Sequence, residues 1–591
     1  MLKPINAPLT GVVIEIVVNV GQVVQKGDLL VLMESMKVQL RVEAEDDGII
    51  KSIPAKLGDT IERDANLINI ELPKLQDSLP KPNNDNGDQA QGKDLNSDPH
   101  SLIQTFKDRQ ALSLDDHRAD AAAKRHAKGY RTARENLANL CDLNSFQEYG
   151  QFAVAAQRQR HDYQTLKTTS AADGIITGIA KINGQLVALI VNDYSVMAGT
   201  QGFFHHQKLD RILEIASKKK LPVIMFTEGG GGRPGDTDVT TVNSGLQCAS
   251  FGTWAGLSGM VPRISVANGY NFAGNAALFG AADITIATEQ SWIGMAGPAM
   301  IEGGGLGRFK PTDIGPIEVQ ANNGTVDIVV SDEVEAAAIA LKALSYFQKS
   351  FDEWQAQDQA LLQSALPESR RQTYDIRGII KRLSDQDEFL ELNKKFGPSI
   401  VTGLSRIEGK AVGIFANDCM SLGGAINVHA GEKAAKFMQL CDHFKLPIIS
   451  LCDTPGFMVG PEHETRGAVR RLADMFRIGA QLTTPFYAVV LRKCYGLGAQ
   501  AMLGGSTKRP LYTLAWPTGE FGAMGLEGAV RLGFSKELAA ITDPEQQKEL
   551  FDNLLAKQYQ QGQASEVASV LEIDAVIDPI DTRAALATLL A

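Results

Sequence analysis

The 591-residue sequence lacks several patterns that would indicate a function on their own. Its six cysteines include no Cys-x-x-Cys pair and its nine histidines no metal-ligand spacing, so no metal site is predicted. The adjacent His205 and His206 are interpreted as packing and surface residues. No apolar run approaches the ~20 residues of a membrane span, and the stretch MLKPINAPLT resembles no signal or transit peptide. These absences predict buried thiols and a cytoplasmic, reducing location without a membrane partner.

The sequence also has fewer positively charged than negatively charged residues. The sequence has 58 Lys and Arg against 69 Asp and Glu, which gives a formal net charge of -11. This balance argues against nucleic acid or an anionic membrane as the main partner, although a local basic patch for a phosphorylated ligand is compatible with it. The length exceeds what one hydrophobic core supports, so two to four domains are predicted.

A repeat occupies the segment from Met1 to Pro73. Sliding this stretch along itself by 37 positions places glycines on glycines and apolar residues on apolar residues, as in Gly11/Gly48, Val13/Ile50, Gly21/Gly58, Val24/Ile61 and Leu30/Leu67. Val- and Ile-rich runs between glycines are typical of short β-strands. Neither half could bury its apolar face alone, so the repeat predicts a two-fold β-sandwich over residues 1–72. Lys37 lies at the junction of the halves, where a hairpin tip is expected.

The residues around Lys37 read Glu34-Ser35-Met36-Lys37-Val38. They resemble the Glu-Ala-Met-Lys-Met pattern of biotinyl carrier domains, whereas the lysine of the related lipoyl domains commonly follows aspartate. The resemblance implies a small all-β biotinyl/lipoyl-type barrel sandwich. It further implies that a biotin protein ligase attaches biotin covalently to Lys37. An unmodified exposed lysine is the alternative.

Between Pro73 and His100 the sequence contains Pro, Asn, Asp, Gly and Gln with almost nothing apolar. Such a composition is typical of a flexible linker, here residues 73–100. About 27 residues of coil span roughly 30 Å on average and about 90 Å when stretched. A carrier lysine on this tether could visit separate sites. A passive spacer is the alternative.

A second, larger repeat is found at an offset of 225 in the numbering. Matching pairs include Thr177/Thr402, Gly184/Gly409, Asn192/Asn417, Gly199/Gly424, Lys208/Lys433 and Gly231/Gly456. Each copy predicts two strands, a helix (around Leu209–Lys220 and Ala434–Lys445) and a buried strand that ends in Glu228 or Asp453. The repeat predicts an α/β fold with mostly parallel, buried strands.

Glycine-rich sequence follows the buried strands, as in "TEGGGGRPGDTD" and later in "RKCYGLGAQAM". Such loops allow backbone N–H groups to converge on an anion. Gly230, Gly232 and Gly235 also fit Gly-x-Gly-x-x-Gly. Pro234 interrupts the helix start that a dinucleotide site requires, and no acidic residue follows about 20 positions on, so dinucleotide binding is not predicted.

Several motifs in order resemble the biotin-dependent acyl-CoA carboxyltransferase family, from about residue 125 to 591. They include "GYRTARENLANLCDLNSFQEYG", "TGLSRIEGKAVGIFAND", "KFMQLCDHFKLPIISLCDTPGFMVG" and "RKCYGLGAQAM". The resemblance implies a multidomain chain in which the carrier precedes a duplicated crotonase-like α/β carboxyltransferase. Its acyl-CoA half is expected at 101–360 and its biotin half at 361–591.

The resemblance also implies the chemistry. Carboxybiotin releases CO2, the ureido anion removes the α-proton of an acyl-CoA, and the enolate attacks CO2. Both steps place negative charge on a carbonyl oxygen, which backbone amides can stabilise. By motif alignment the amides of Gly230, Gly231 and Gly232 serve the thioester enolate, and those of Leu497 and Gly498, after the Gly496 turn, serve the ureido oxygen.

Partners follow from the same resemblance. A homo-oligomer is expected, at least a dimer and often a hexameric ring, because biotin reaches the acyl-CoA half from a neighbouring subunit. Carboxylation of biotin uses ATP and Mg²⁺, and no Gly-rich phosphate loop with lysine is present. A separate biotin carboxylase subunit is therefore predicted.

Two alternatives stay open. A decarboxylase or transcarboxylase subunit has the same fold and runs the transfer in reverse. A non-catalytic biotin carrier scaffold is the alternative from another class, and the glycine loops in both halves argue against it. The acyl group is not specified. Departures such as Glu228-Gly229-Gly230-Gly231-Gly232-Arg233 argue against propionyl specificity and resemble members that are fused to a carrier and act on other acyl-CoAs, longer ones among them.

Overall fold

The structure, a computed structural model, describes residues 2–35, 38–72, 99–239 and 246–591. Tertiary contacts divide the chain into two compact units, with the division between Asp98 and Pro99. The small unit comprises the described residues up to 72, and the large unit comprises those from 99 onward.

The small unit consists of eight strands. They are β1 (Leu2–Asn6), β2 (Gly11–Ile16), β3 (Val23–Val24), β4 (Leu29–Ser35), β5 (Val38–Glu43), β6 (Gly48–Ser52), β7 (Thr60–Ile61) and β8 (Asn66–Glu71). They form two four-stranded sheets, in the orders β1-β8-β6-β3 and β5-β4-β2-β7. Replacing each strand by its repeat partner converts one sheet order into the other, so the predicted two-fold β-sandwich is confirmed.

Apolar side chains between these sheets form the core, including Val13 and its repeat partner Ile50, both fully buried. Gly11 and Gly48 show why the repeat keeps its glycines. A Cβ atom at Gly11 would lie 2.7 Å from the Glu34 carbonyl oxygen, and one at Gly48 would lie 2.8 Å from that of Glu71. Because the same close approach occurs twice, both halves require glycine there.

The first half of the large unit, residues 99–345, alternates helices and strands. Its elements are α1 (Pro99–Ala111), α2 (Ala119–His126), α3 (Ala133–Ala138), β9 (Gln147–Tyr149), α4 (Tyr163–Thr169), β10 (Ile175–Ile182), β11 (Gln185–Asn192), α5 (Phe203–Lys219), β12 (Val223–Gly229), α6 (Ser250–Gly256), β13 (Arg263–Phe272), α7 (Gly274–Gly280), β14 (Ile284–Gly294), α8 (Pro298–Gly303), α9 (Ile317–Asn322), β15 (Ile328–Val330) and α10 (Glu333–Ser345).

The second half, residues 377–591, repeats the strand order with one additional short strand and a different set of helices. Its elements are α11 (Arg377–Leu383), β16 (Leu390–Leu392), β17 (Ile400–Ile407), β18 (Lys410–Asn417), α12 (Val428–His443), β19 (Ile448–Thr454), α13 (Pro461–Glu464), α14 (Ala468–Gln481), β20 (Phe486–Tyr495), α15 (Gly496–Met502), β21 (Tyr512–Ala515), β22 (Glu520–Gly522), α16 (Leu526–Gly533), α17 (Ser535–Ala539), α18 (Pro544–Gln561), α19 (Ala564–Ser569), β23 (Ala575–Val576) and α20 (Thr582–Leu589).

The two sheets have the same topology. The first runs β15-β14-β13-β12-β11-β10-β9 and the second β16-β17-β18-β19-β20-β21-β23, with β22 beside β20. Each sheet contains an antiparallel hairpin, β10–β11 or β17–β18, and the strands that follow it in sequence add to the sheet as parallel pairs. Three pairs of strands keep the offset of the sequence repeat at both of their ends: β10/β17, β11/β18 and β12/β19. The predicted duplicated α/β fold with buried parallel strands is therefore confirmed.

The predicted helices begin about six residues earlier than expected. α5 starts at Phe203 and α12 at Val428, where the Asn427 side chain accepts a hydrogen bond from the Ala430 amide. A side-chain cap of this kind fixes the first residue of a helix, whereas the spacing of apolar residues indicates only which part of the helix is buried. The left-handed conformation of Lys220, with φ 55°, ends α5 close to the predicted position.

The linker and half boundaries need adjustment. Residues 73–98 of the predicted linker lie outside the described residues, and Pro99 and His100 already belong to α1. Proline is favoured at the first position of a helix, because its missing N–H group needs no partner there. The 360/361 boundary lies inside a short 3-10 turn, Gln359–Leu362, and Leu362 packs into the core of the second half. None of the helices in the described ranges combines the length and the apolar composition that a membrane span requires.

Candidate active site

The predicted biotin lysine, Lys37, lies outside the described residues, as does Met36. The strands on either side are described. β4 ends at Ser35, β5 begins at Val38, and these two residues pair with each other in the antiparallel ladder. Val38 is 63% exposed. The described strands are therefore paired up to the two residues of the predicted attachment site, and the hairpin tip itself stays a prediction.

The predicted glycine loop of the first half follows the end of β12. Gly231 accepts a hydrogen bond from the Gln201 amide through its carbonyl group, and the Arg233 amide donates to Gln201 in return. The N–H of Gly230 donates to the Ala198 carbonyl oxygen at 3.3 Å, so Gly230 does not offer a free donor, contrary to the prediction. Within the described part of the chain, the N–H groups of Gly231 and Gly232 have no acceptor.

A second turn, missed by the sequence analysis, contacts this loop. Ala273 follows β13 with φ 51° and ψ -119°, and Gly274 begins α7. A Cβ atom at Gly231 would lie 2.7 Å from Ala273 Cβ and 3.9 Å from the Gly274 nitrogen. The Gly274 N–H has no acceptor within its own helix, because the first turn has no preceding carbonyl groups. The first-half site thus joins two backbone segments, one after β12 and one after β13.

The predicted residues of the second half, Gly496, Leu497 and Gly498, form the first turn of α15 after β20. Gly496 has φ 59°, and the Leu497 side chain is 63% exposed. A Cβ atom at Gly498 would lie 2.7 Å from the Phe457 nitrogen. Gly498 is therefore fixed against the loop that follows β19, and the amides of Leu497 and Gly498 lie in a helix turn without intrahelical acceptors.

The duplication shows how the sequence analysis missed Ala273 and Gly274. Gln201 pairs with Gly232 in the first half, and Ile426 pairs with Phe457 at the same offset in the second. The structural equivalent of the Gly230–Gly232 loop is therefore 455–457, and that of the Gly496 turn is Ala273. The offset between equivalent residues becomes slightly smaller at β13 and β20, which begin at Arg263 and Phe486. Because of this change, the equivalence of Ala273 and Gly496 does not appear at the offset of the larger repeat. The signal was present in the strand-end sequences "NFAGNA" and "CYGLGA".

The two equivalent loops differ in their free donors. In the second half, the Gly456 N–H donates to the Thr454 hydroxyl at 3.2 Å, whereas the equivalent Gly231 N–H has no acceptor among the described residues. The first-half site therefore has donors from both of its segments. The second-half site has the amides of Leu497 and Gly498 together with that of Phe457, the equivalent of Gly232, which has no acceptor in the described part of the chain.

Acidic residues at the strand ends are neutralised by arginine. Arg125 binds Glu228 through two hydrogen bonds of 2.6 and 2.8 Å, and Arg492 binds Asp453 in the second half at 3.0 Å. Burial raises the pKa of Glu228 to about 7, although Arg125 opposes this effect. Because both carboxylates are paired and buried, backbone amides rather than free carboxylates are the exposed polar groups at these strand ends.

A cavity of about 1180 Å³ lies at the carboxyl ends of the first-half strands. Tyr270 and Trp292 line one part of it, and His117, Lys124 and Lys128 line another. Lys124 lies on α2 and Lys128 just after its end; both are exposed and have no carboxylate partner in the described ranges. Asp116 and Asp120 line the same cavity. The cavity therefore combines an aromatic wall with charged groups of both signs, and its two lysines suit the phosphorylated part of a ligand.

A smaller pocket of about 440 Å³ lies beside the second-half turn. Its lining includes Gly496 and Leu497 together with the amide side chains of Gln500, Gln558 and Gln561. Glu572 is the one charged residue of the lining. The neutral hydrogen-bonding groups suit a small, uncharged polar ring system. Among the residues that the structure describes, no group of three or more His, Cys, Asp or Glu side chains is placed to hold a metal ion.

Comparison with known families gives two matches. A sequence model of the family described as "Carboxyl transferase domain" matches residues 124–591, which is most of the chain. A second, described as "Biotin-requiring enzyme", matches residues 3–70.

Solved structures and relatives agree with these matches. A single-chain, multi-domain long-chain acyl-CoA carboxylase is 43% identical with a TM-score of 0.79, and the match covers 100% of this chain and 56% of that one. The chain thus spans little more than half of that carboxylase. The transcarboxylase 12S hexamer with methylmalonyl-CoA bound is 29% identical with a TM-score of 0.73, covering 83% and 94%. The propionyl-CoA carboxylase beta chain of Saccharopolyspora erythraea is 28% identical over 516 residues, covering 84% and 93%.

Proposed function

The chain belongs to the carboxyl transferase family, and we propose on that premise that it moves a carboxyl group from biotin on Lys37 to the α-carbon (or vinylogous position) of an acyl-CoA. The observation that carries this proposal is the pair of backbone donor sites at equivalent strand ends of the two halves. Each site offers N–H groups where a carbonyl oxygen gains negative charge.

The first half is proposed to bind the acyl-CoA. The amides of Gly231, Gly232 and Gly274 would hold the thioester oxygen, and they would stabilise it most as the enolate forms. The cavity beside Tyr270 and Trp292 has room for an acyl chain or a nucleotide ring, and Lys124 and Lys128 suit phosphate groups. The 43% identity to a long-chain acyl-CoA carboxylase favours a long acyl chain.

The second half is proposed to receive biotin. The pocket beside Gly496 and Leu497 suits an uncharged bicyclic head group, since its lining presents glutamine side chains and only one charged residue, Glu572. When bound, biotin supplies the carboxyl group and a ureido nitrogen that can accept a proton. The amides of Leu497 and Gly498 would hold the ureido oxygen and so stabilise the negative charge that develops on it.

A homo-oligomer is proposed because exposed apolar side chains collect at the same sheet edges as the two sites. Met295, Met300 and Leu306, between 71 and 75% exposed, follow β14 in the first half. Val459 and Leu497 follow β19 and β20 in the second. Contact between copies through these edges would shield the sites from water. The hexamer of transcarboxylase 12S supports a similar ring here.

A separate biotin carboxylase subunit is proposed to carry out the ATP- and Mg²⁺-dependent step, and a biotin protein ligase to modify Lys37. The two family matches cover residues 3–70 and 124–591, and neither is described as an ATP-using domain. The cytoplasmic location stays a prediction. Transfer in the reverse direction is the second candidate, which the likeness to transcarboxylase 12S favours.

The test uses the biotinylated full-length chain and a panel of acyl-CoAs carrying a labelled carboxyl group on the α-carbon. Label should move from the acyl-CoA to the protein and remain there after avidin capture under mild alkaline conditions. Long-chain substrates should be used best. Absence of transfer from every member of the panel would contradict the proposed function, whichever direction operates in the cell.

A further inference from the structure

The ion pair between Arg125 and Glu228 has a counterpart in the second half that is built differently. Glu228 and Asp453 are the last residues but one of β12 and β19, which are equivalent in the larger repeat. Asp453 binds Arg492, a residue of the neighbouring strand β20. Glu228 binds Arg125 of α2, which lies 103 residues away in sequence. The arginine is thus a strand residue in one half and a helix residue in the other.

The strand pairing identifies Gly269 as the first-half residue in the place of Arg492. In both halves the neighbouring strand has two extra residues beside the acidic residue, and the flanking pairs are equivalent: Thr227/Ala267 and Gly229/Asn271, against Cys452/Val490 and Thr454/Cys494. Gly269 has φ 62°, and a Cβ atom on it would lie 2.9 Å from Glu228 Oε1. Because a side chain at position 269 would collide with the carboxylate, the arginine that neutralises Glu228 comes from α2.

The glycine leaves room beside the carboxylate, and this room is part of the large cavity. Gly269, Glu228 and Arg125 all line the cavity of about 1180 Å³. The guanidinium carbon of Arg125 lies 5.0 Å from the ring centroid of Tyr130 and 5.7 Å from that of Tyr194, and both rings line the cavity as well. The ion pair is therefore built into the wall of the cavity in which the acyl-CoA is proposed to bind.

Arg125 anchors α2 to the rest of the large unit. The structure describes all eight residues of α2, and Arg125 is the one among them that is buried. Its guanidinium group donates two hydrogen bonds to Glu228 and one, of 2.9 Å, to the Arg131 carbonyl oxygen. Lys124 and Lys128 lie on either side of Arg125 in sequence, and both line the cavity. The anchor therefore lies between the two exposed cations that suit phosphate groups.

The strand end is the fixed side of this contact, and α2 is the side that depends on it. β12 lies in the interior of its sheet, between β11 and β13. The Gly230–Gly232 loop that follows is held by its own backbone hydrogen bonds. The start of α2 is held by Arg118, which binds Asp193 at 2.6 Å, whereas its end is held by Arg125. Loss of the Arg125–Glu228 pair should therefore release the end of α2 and leave the donor loop in place.

We propose that the Arg125–Glu228 ion pair positions the two cavity lysines so that they bind the phosphate groups of coenzyme A. The pair thereby gives the chain a preference for coenzyme A thioesters over thioesters without phosphate. Hydrogen bonds between an ammonium group and a phosphate are about twice as strong as neutral ones, but only when the donor is held at the right distance. The identity of the ligand rests on the proposed function, whereas its binding can be measured without any carboxyl transfer.

Calorimetric titration of the biotinylated full-length protein with coenzyme A and with pantetheine, which has no phosphate, gives the first readout. The wild type should bind coenzyme A at least about 10-fold more tightly, the effect of one charge-assisted hydrogen bond. Arg125→Met/Glu228→Gln removes both charges, so no unpaired charge stays buried. This variant should lose the preference and bind pantetheine as the wild type does. Equal affinities in the wild type, or an unchanged preference in the variant, would overturn the proposal.

A milder variant covers the case in which the double variant does not fold. Arg125→Lys keeps a positive charge opposite Glu228 but cannot donate two parallel hydrogen bonds to it. The preference for coenzyme A should therefore shrink in Arg125→Lys without a change in the affinity for pantetheine. A preference equal to that of the wild type would count against the positioning role.

Another buried ion pair of the same half gives the matched control. Arg263 binds Asp283 at 2.8 Å at the start of β13, whereas the cavity lies towards the end of that strand. Arg263→Met/Asp283→Asn should therefore keep the preference for coenzyme A. A loss of the preference in this control would show that removal of any buried charge pair has the same effect, which would overturn the specific role of Arg125 and Glu228.

Carboxyl transfer from a labelled carboxylated acyl-CoA gives the second readout. Arg125→Met/Glu228→Gln should raise the KM for the coenzyme A thioester by about 10-fold with a kcat close to that of the wild type. The KM for the same acyl group on pantetheine should not change. A fall in kcat on both substrates with the wild-type ratio of KM values would show a purely structural role. If the wild type transfers no carboxyl group, the proposed function fails, and the titrations still decide whether the ion pair controls phosphate binding.

Discussion

Gly231 lies against Ala273 so closely that a Cβ atom on the glycine would be 2.7 Å from that of the alanine. Real Cβ contacts are longer, so a side chain at position 231 must move one of the two segments. These segments carry the free donors of the first-half site. Their separation therefore sets the geometry in which a thioester oxygen can be held.

Gly231→Ala tests this relationship because it keeps the N–H and changes only the fit. The added methyl group should displace the loop and lower kcat for carboxyl transfer by about 10²-fold, the usual effect of a displacement near 1 Å. Gly280→Ala, at the end of α7 in open space, is the matched control and should have the wild-type rate. A fully active Gly231→Ala protein would show that the contact does not position the donors.

Gly498→Ala tests the second half in the same way. A Cβ atom there would lie 2.5 Å from the Gly456 carbonyl carbon, so the α15 turn should shift. Because this site is assigned to biotin, the KM for acyl-CoA should change little, while transfer to free biotin should fall by about 10²-fold. A large rise in the KM for acyl-CoA with normal use of free biotin would reverse the assignment of the two halves.

Sequence and structure agree best where a repeat constrains both. The two internal repeats predicted the small sandwich and the duplicated sheets, because equivalent glycines and apolar residues must meet equivalent neighbours. Helix starts were less predictable, since the Asn427 cap lies outside the apolar periodicity. The donor site was only partly predictable. Whether the Gly230 amide is free depends on the Ala198 carbonyl across the loop, and the sequence does not encode that contact in any local pattern.

Lys37→Arg tests the attachment site. Arginine keeps the positive charge but cannot form the amide bond to biotin, so avidin binding and transfer to the protein's own biotin should both be lost. Lys56→Arg, at an exposed position of the same small unit, should be biotinylated normally. Avidin binding by the Lys37→Arg protein would place biotin on another lysine.

Lys433 gives a pH dependence of stability. Burial lowers the pKa of Lys433 from 10.5 to about 7, so between these values the folded state is largely neutral there and the unfolded state is charged. The unfolded state then binds more protons, and stability rises with pH by up to ~1.4 kcal/mol per unit. Thermal unfolding of Lys433→Met should lack this rise between pH 7 and 9.5. Lys436→Met, half-exposed on the same helix, should keep the wild-type slope.

The partner prediction is tested with the biotinylated chain alone. It should not hydrolyse ATP with bicarbonate, and it should still exchange label between a carboxylated acyl-CoA and its own biotin. Adding a biotin carboxylase should complete ATP-dependent carboxylation. Reducing residues 73–98 to about ten, a reach of roughly 35 Å, should slow the coupled reaction and spare transfer to free biotin. ATP-dependent carboxylation by this chain alone would refute the prediction of a separate biotin carboxylase subunit.

The change in offset also locates where the two halves diverged. β12 and β19 still end at equivalent positions of the larger repeat, whereas β13 and β20 no longer begin at equivalent positions, so residues were gained or lost in the connection between these strands. That connection holds the free Gly231 amide and α6 in one half, and α13 and α14 in the other. Both versions of the connection occur with the same strand register in the preceding hairpins, β10–β11 and β17–β18. An enzyme engineer could therefore exchange this one connection between halves or homologues to alter substrate handling, while leaving the strands unchanged.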